Sequence, residues 1–573
     1  MANRAFPARS IPQDNTGRPA APGAHAGRAA DGALNRGAGL PLSRYERPRL
    51  VPAKTVMTAV SVLTASIVTP LAVRAASPAP APALPVESQE GVRVALASSS
   101  AASPVYAAPS PLPSAETAVW ENSAEDAISA LMTGNYGSAS AAGRFKGLGA
   151  ALLERFREEK TGYSQSLLQA RPGSLSAAAQ RAELHRETDN QVTLTVRTAS
   201  GKEVRIKLGS GPEGLAVSVD IADDAELSQA ERDALADLSQ GFQEAIDGLA
   251  AGTGAKKLSG LLAFDSTVLS SVDLQAAIRQ DGVAQSLSLS ADGRHRSLRM
   301  TSATGTIQVD VDLSQEAILG KASQRDAAVR DYLRQFDRAR QRGEGDAALM
   351  TQFKDAFSAM HSQYGNEAPP DLLSREITLS RGDRSALSGM ADFSASISQV
   401  SQSPNAILPE ERDSFRFAVS QRTQVGGANT PNRSLRQEQQ ASLSASYHRQ
   451  IDAETPMNLA GPRETQNYLY IEIQDRSSST TDIAYRDGAL IKAQVKTLVN
   501  ESTKTSRFIN GQQTDSSVVP SESTQTKSLR SLLRATDRAA QADASHLLRE
   551  HVPLMIESGY DRLAGTAAKA RRR

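Results

Sequence analysis

Three short alternating segments constrain this chain more than any other feature. Apolar and polar residues alternate in Val192–Val196, Val204–Leu208 and Leu215–Val219, which is typical of strands with one buried face. Between the first two segments, Gly201 is free to take the positive φ of a tight turn. The pattern therefore predicts three consecutive antiparallel strands.

An amphipathic helix follows the third strand. Ser228 and Glu231 have the spacing of a capping box, and Gly252 is suited to end the helix. Apolar residues recur every three or four positions, at Leu235, Leu238, Phe242, Ile246 and Leu249. This stretch thus predicts a β-β-β-α unit with the helix across one face of the sheet.

The same pattern returns further along the chain. Gly293 lies 92 positions after Gly201, and Val309 lies 92 positions after Val217. A tandem duplication accounts for a constant offset, although two units of a common fold class also look alike. Under duplication, residues 192–250 and 285–343 are predicted to superpose.

The second helix is predicted to begin at another capping box, formed by Ser323 and Asp326. Tyr332 lies 94 positions after Leu238, so two residues are inserted before this helix. A further helix is predicted over 347–364.

Composition excludes several classes of function. The 573 residues include 64 basic and 63 acidic ones, and a net charge of +1 argues against the clustered positive field of a nucleic-acid-binding protein. The chain has no cysteine, which excludes disulfides, thiolate catalysis, zinc–cysteine sites and iron–sulfur clusters.

The N-terminal region resembles an export signal. Residues 1–54 have no apolar period and are predicted to be a disordered basic leader. Thr55–Val73 is free of charge, and Val73-Arg74-Ala75 offers small residues to an export peptidase. Residues 55–75 are thus interpreted as a cleaved signal peptide. An uncleaved inner-membrane anchor and a segment with neither role are the alternatives.

The rest of the chain divides by composition. Alternating runs after Ile377, among them Tyr468–Tyr470 and 482–486, predict an antiparallel β-rich domain. Helices are predicted at 115–132, 144–158 and 174–186. The predicted parts are a Pro/Ala/Ser linker over 76–113, a helical segment over 114–187, β-β-β-α units over 188–254 and 255–365, the β-rich domain over 366–525, and C-terminal helices with a basic tail over 526–573. The fold class is therefore predicted to be α+β.

One stretch has the letters of a dinucleotide-binding motif. Gly209–Gly214 matches GxGxxG, but that motif must open a helix, and here a strand follows within one residue. Pro212 also removes one amide donor. The sequence therefore predicts a turn between antiparallel strands and no cofactor.

The span 190–365, which contains these glycines, resembles a poorly characterised group of proteobacterial proteins, some of which are labelled lactate dehydrogenase. No catalytic motif of that enzyme family can be matched in this chain, and the sequence shows no parallel βαβ array. The resemblance therefore implies no site residue.

Arg381-Gly382-Asp383 resembles the integrin-binding tripeptide and is predicted to lie in an exposed turn after a strand. All three residue types are also ordinary in turns, so chance is the alternative explanation. These three residues are the candidate interaction site.

No metal site is predicted. His546 and His551 are five residues apart, whereas zinc helices place two histidines four apart on one face. Acidic residues that precede the two helices suit the helix dipole without any calcium ion. They are Asp220, Asp223, Asp224, Glu226, Asp310 and Asp312.

The sequence favours an exported protein of a Gram-negative bacterium that acts by binding, surface attachment or assembly. The expected partner is a protein or a surface, with no nucleic acid and with membrane contact only through the N-terminal apolar segment. The alternatives are an enzyme whose polar site has no linear motif and a secreted, host-directed effector. Converging ionisable groups in a concave pocket would favour the enzyme, and an exposed sheet edge would favour binding.

Overall fold

A computed structural model describes residues 118–169, 176–250, 254–280, 282–364, 377–531, 533 and 534. All of them belong to one unit of the chain, which begins at Pro104. Within these ranges the chain forms a single fifteen-stranded sheet with helices packed on it. The predicted α+β class, with an antiparallel sheet, is confirmed.

The strands of this sheet are numbered in chain order. They are β1 (Ala118–Trp120), β2 (Tyr163–Gln169), β3 (Asn190–Thr198), β4 (Glu203–Gly211), β5 (Gly214–Ile221), β6 (Leu269–Gln280), β7 (Val283–Asp292), β8 (His295–Thr301), β9 (Gly305–Asp312), β10 (Asp392–Gln399), β11 (Ser414–Gly427), β12 (Arg433–Arg449), β13 (Tyr468–Arg486), β14 (Ala489–Ile509) and β15 (Gln512–Ser528).

The helices are numbered in the same way. They are α1 (Ala127–Asn135), α2 (Ala141–Arg144), α3 (Leu148–Glu154), α4 (Ala177–Arg186), α5 (Gln229–Asp237), α6 (Ser239–Ala250), α7 (Ala322–Gly343), α8 (Ala347–Met360) and α9 (Arg381–Ser385).

Every strand pair in the sheet is antiparallel. The order across it is β1-β2-β5-β4-β3-β6-β7-β8-β9-β10-β11-β12-β13-β14-β15, so from β6 onward each strand pairs with the next one in the chain. Consecutive antiparallel strands need only short turns. At the turn between β3 and β4, Gly201 has the predicted positive φ, of 90°.

One face of the sheet carries the core. Leu194 faces Leu274 on β6, and Leu274 faces Leu289 on β7. Directly opposed residues share a face, so these pairs begin a row that continues through Leu298 to Val309. The residues of this row are almost fully buried, in one cluster with the apolar sides of α6, α7 and α8. The helices therefore cover this face of the sheet.

The predicted superposition of the two β-β-β-α units is not confirmed. β3 and β7 both run antiparallel to β6, so the two units begin with parallel strands. The first unit then extends on one side of β6 and the second unit on the other. Both units have their helices on the same face of the sheet. A rotation that brings the three strands of one unit onto those of the other would therefore place its helices on the opposite face.

The sheet also continues through predicted boundaries. β9 pairs with β10 over eight residue pairs, across the boundary placed at 365/366. β3 pairs with β6, across the boundary placed at 254/255. The strands on either side of each boundary therefore belong to one sheet.

Of the two predicted capping boxes, one is present in the structure and the other is not. Ser228 and Glu231 form the predicted capping box at α5. The second box is wrong, because α7 is already helical at Ala322 and its N-cap, Lys321, has no side-chain capping bond. Ser323 therefore lies inside the first turn instead of at the position where a side chain can cap.

The other helix predictions need smaller corrections. The segment 115–132 contains β1 before α1 begins, and the segment 144–158 is interrupted at Gly147, which has a φ of 74°. At the C-terminal end, β15 continues to Ser528 where a helix was expected from 526. Most of the predicted C-terminal helical region lies outside the described residues.

Candidate functional site

The glycine-rich stretch is a tight antiparallel hairpin, as the sequence predicts. Gly211 pairs with Gly214 across the two-residue turn between β4 and β5. A Cβ on Gly214 would lie 2.6 Å from the carbonyl oxygen of Leu167. Arg144 donates hydrogen bonds to the carbonyl oxygens of Gly211 and Gly214. The carbonyl oxygens of the turn thus accept hydrogen bonds from the Arg144 guanidinium. The absence of a side chain at Gly214 permits close packing against Leu167.

The Arg381-Gly382-Asp383 prediction of an exposed turn is wrong. These residues form the first turn of α9, where Asp383 closes a capping box with Ser380. The Asp383 carboxylate is fully buried. It accepts a 2.7 Å hydrogen bond from Arg433 Nε and a 2.9 Å bond from the Tyr485 hydroxyl. An adhesion receptor would need this carboxylate at the surface, so the tripeptide has a structural role.

Two of the acidic residues considered for calcium bond to groups in their own turn or a neighbouring strand. Asp312 accepts a 2.9 Å bond from the Ser314 amide, and Asp310 accepts a 2.7 Å bond from the Ser297 hydroxyl. Within the described ranges, no three His, Asp or Glu side chains are placed to hold a metal ion. His546 and His551 lie outside these ranges.

The membrane prediction concerns a region outside the described residues, because it rests on Thr55–Val73. Of the helices in the described part of the chain, none combines the length and apolarity needed to cross a membrane.

A group of interacting ionisable side chains surrounds His448, at the end of β12. His448 Nδ1 lies 2.7 Å from Asp413 Oδ1, and its Nε2 lies 3.2 Å from Glu411 Oε2. The Tyr468 hydroxyl donates a 2.8 Å bond to the same Glu411 oxygen. We call His448, Glu411, Asp413 and Tyr468 the His448 cluster.

The position of the His448 cluster follows from strand register and one loop. His448 alternates with Tyr447, which belongs to the core, so the imidazole lies on the face opposite the helices. The loop before β11 crosses this face and supplies Glu411 and Asp413. Phe508 on β14 stacks on Tyr468 with ring centroids 4.6 Å apart. The result is a small polar and aromatic cluster at one end of the second face.

The electrostatics of the cluster favour a charged imidazole. Burial acts to lower the pKa of His448, but the hydrogen bonds and charges of Asp413 and Glu411 outweigh it and raise the pKa to about 9. Burial, with the neighbouring Glu411, raises the pKa of Tyr468 above its usual range. At neutral pH His448 is therefore an imidazolium that donates from both ring nitrogens.

This arrangement suits a clamp better than a catalyst. A general base needs a free lone pair within reach of a substrate proton. Both nitrogens of His448 are occupied, and only 1% of its side chain is exposed. The cluster therefore fastens the loop before β11 to the ends of β12 and β13.

Two small cavities on the described surface lie away from this cluster. A cavity of about 10 Å³ between α6, α8 and the β7–β9 strands is lined by no ionisable side chain. A second cavity, also of about 10 Å³, is lined in part by His185 and Lys207. His185 Nε2 lies 2.8 Å from the carboxylate of Glu121. Neither cavity holds several converging carboxylates or histidines.

The outer edge of β15 is a long open edge of the sheet. β15 has 17 residues, and all are exposed except the half-buried Lys527. Val518 and Val519 are 59% and 63% exposed. β15 pairs with β14 on one side, and no strand of the described chain pairs with its other side. A long row of backbone donors and acceptors is thus open to a partner strand.

Turn geometry shows which backbone groups point outward. Asn510 and Gly511 have φ of 50° and 66°, as in a two-residue type I′ hairpin, so Ile509 and Gln512 form a hydrogen-bonded pair. The register shifts once, next to Arg507, and then alternates regularly. Even-numbered residues from 516 to 528 therefore turn their N–H and C=O groups away from β14.

Pro520 agrees with this assignment. Proline has no N–H and occurs in sheets where its nitrogen faces solvent on an edge strand. Pro520 faces Ser502 in the middle of β15, at an even position. It removes one donor from the open edge and leaves the pairing with β14 intact.

Comparison of the chain with protein-family models, curated proteins and solved structures gives no match.

Sequence reasoning missed both the His448 cluster and the β15 edge. Glu411 and Asp413 lie in a loop with no apolar period, and they are 37 and 35 residues from His448. β15 has no alternation because both of its faces are exposed. The Asn510-Gly511 pair, a strong hairpin signal, was the available indication of another strand.

Proposed function

We propose that this is an exported bacterial protein that acts by binding or assembly, and that its binding element is the outer edge of β15. The observation that supports this proposal most is that all but one of the 17 residues of this edge strand are exposed. The partner is an extended polypeptide segment that adds to the sheet. In this mode, backbone hydrogen bonds supply affinity and side chains supply register.

The chemistry of the edge supports acceptance of a strand. Proteins protect open edges with short strands, charges or covering segments. β1, at the other end of the sheet, has three residues in the described part of the chain. β15 is long, and its charged residues are limited to Asp515, Glu522 and Lys527. Pro520 is its single strong interruption, so most of the edge stays competent to pair.

The state of the described ionisable groups supports binding over catalysis. The His448 cluster has a perturbed pKa, yet its imidazole is buried and bonded to two carboxylates. An active site needs such groups to converge on a space that admits substrate. The cluster borders neither of the two cavities, and each of these holds only about 10 Å³.

Export is part of the proposal and rests on the sequence. The uncharged run Thr55–Val73, followed by Val73-Arg74-Ala75, supports a cleaved signal with a periplasmic, cell-surface or secreted product. Cell fractionation with N-terminal sequencing tests it. A mature N-terminus near residue 76 outside the cytoplasm is expected, and an intact N-terminus in the cytosolic fraction would contradict it.

Site-specific photo-crosslinking tests the binding role. A photoreactive residue replaces Ser516 on the β15 edge, and in a matched variant it replaces the half-buried Thr480 on the interior strand β13. In cells that export the protein, the edge position is expected to give an adduct of one defined mass, and the control position none. The adduct should disappear when Thr524→Pro removes an outward N–H. No adduct at the edge, or equal adducts at both positions, would contradict the proposal.

A further inference from the structure

Resting on the proposed role of this edge, we infer that the strand added to β15 is β15 of a second copy of this chain, antiparallel and centred on Ser521. The two sheets then join about a twofold axis that passes between the two Ser521 residues. Such an interface is self-complementary, because each contact occurs twice.

Hydrogen bonding limits the possible registers. The outward groups of β15 belong to the even residues from 516 to 528. Two such edges bond only when even residues face even residues, so the facing residue numbers must have an even sum. The twofold axis therefore passes through a residue position and not between two residues.

Charge selects among the allowed registers. With the axis at Ser521, Asp515 of each copy faces Lys527 of the other, and both residues lie on the same face of the strand. This register forms two ion pairs, and Glu522 faces the uncharged Pro520. With the axis at residue 522, Glu522 would face itself, which places like charges in contact. With the axis at 518, 519 or 520, Asp515 faces uncharged residues.

The selected register keeps most of the possible hydrogen bonds. Residues 516–526 of one copy overlap the same residues of the other, which gives about ten backbone hydrogen bonds once both Pro520 positions are omitted. Val518 faces Thr524 and Val519 faces Ser523, so the β-branched Val518, Val519 and Thr524 flank the centre of the ladder.

Because the chain contains no cysteine, one engineered thiol tests this register. Odd residues are bonded to β14, so the two Ser521 residues would form a non-hydrogen-bonded pair with their Cα atoms about 4.5 Å apart. That spacing is compatible with a disulfide. The Ser521→Cys variant of the full chain is expected to form a disulfide-linked dimer on mild oxidation.

Ser517→Cys is the matched control. Ser517 is exposed on the same face of the same strand. In the proposed register the two Ser517 residues are separated by eight positions, or about 26 Å, which no disulfide can span. This variant should stay uncrosslinked, whereas an equimolar mixture of Ser517→Cys with Gln525→Cys should form the mixed dimer because those positions face each other.

Sedimentation of the cysteine-free chain gives an independent measurement. The wild type is expected to sediment at twice the chain mass, and Thr524→Pro at the mass of one chain with unchanged circular dichroism. A wild type that stays monomeric at every concentration, or equal crosslinking of Ser521→Cys and Ser517→Cys, would overturn the inference. An edge adduct in cells with a mass other than that of two chains would also overturn it, yet would leave the proposed binding role standing.

Discussion

The covered and open parts of the sheet share one hydrogen-bonding pattern but have opposite surroundings. From Leu194 to Val309 the row of facing residues is apolar and lies beneath helices. On the same face, this row continues toward the β15 edge of the sheet, through Ser477 and Val499 to Ser523. There Ser477 and Ser523 interrupt the apolar row, and β15 is open on both faces. Backbone pairing extends the sheet, but only side chains decide which part forms a core.

This difference separates stability from binding. Burial of apolar side chains is the main stabilising term for the covered strands. The β14–β15 hairpin contributes few buried side chains and depends on its ladder and turn. We therefore expect substitutions in the covered part to change unfolding and substitutions on the edge to change association.

The largest effect is expected at Phe336 on α7. Its ring contacts those of Phe353, Phe357 and Phe417, with centroids 4.8, 5.1 and 5.6 Å away, and it is fully buried. Phe336→Ala should lower the free energy of unfolding by about 3–5 kcal/mol because it leaves a cavity in the core. Urea unfolding followed by circular dichroism measures it, and a loss below about 1 kcal/mol would show that the aromatic core is misplaced.

The next effect concerns the buried tripeptide. Asp383→Asn should cost about 3 kcal/mol, because Arg433 keeps a charge in a buried site without its carboxylate partner. Asp482→Asn is the matched control, since the pair of Asp482 with Lys492 is at the surface and contributes at most about 1 kcal/mol. Equal losses in the two variants would contradict the burial of Asp383.

The tripeptide also illustrates why sequence alone placed the site wrongly. The partners of Asp383 lie 50 and 102 residues away, at Arg433 and Tyr485, and no local pattern indicates them. The strands of the covered region were predictable because one buried face imposes a period of two. β13 was expected as two short strands, because its buried Ser477, Ser479 and Thr481 break the apolar pattern.

A pH-dependent loss of stability is expected at the His448 cluster, on the face of the sheet opposite the helices. The pKa of His448 is raised, so its contribution to stability is complete below pH 6.5 and is lost as pH rises through about 9. We expect roughly 2–3 kcal/mol more difference in unfolding free energy between wild type and His448→Gln at pH 5.5 than at pH 10. Glu411, Asp413 and Tyr468 also surround the imidazole. Only the change of this difference with pH therefore reports the charge of His448. A difference that does not change with pH would refute the imidazolium clamp.

The smallest effect compares one substitution in both regions. Val309→Ala beneath the helices should cost about 2 kcal/mol, because Val309 is fully buried. Val519→Ala on the edge strand should stay within about 0.5 kcal/mol. Thermal unfolding of the two variants at the same concentration provides the comparison, and a reversed order would contradict the exposure of the Val519 side chain.

The most direct test of the open edge as the binding element is residue-resolved amide hydrogen exchange along β15. At low concentration the outward amides of Val518, Glu522 and Thr524 should exchange fast, while the amides of Val519 and Ser523, bonded to β14, exchange slowly. As the concentration rises, the outward amides should slow by at least about tenfold, because each acquires a partner across the new ladder. Outward amides that exchange fast at every concentration, or an alternation with the opposite parity, would contradict the assignment of this edge.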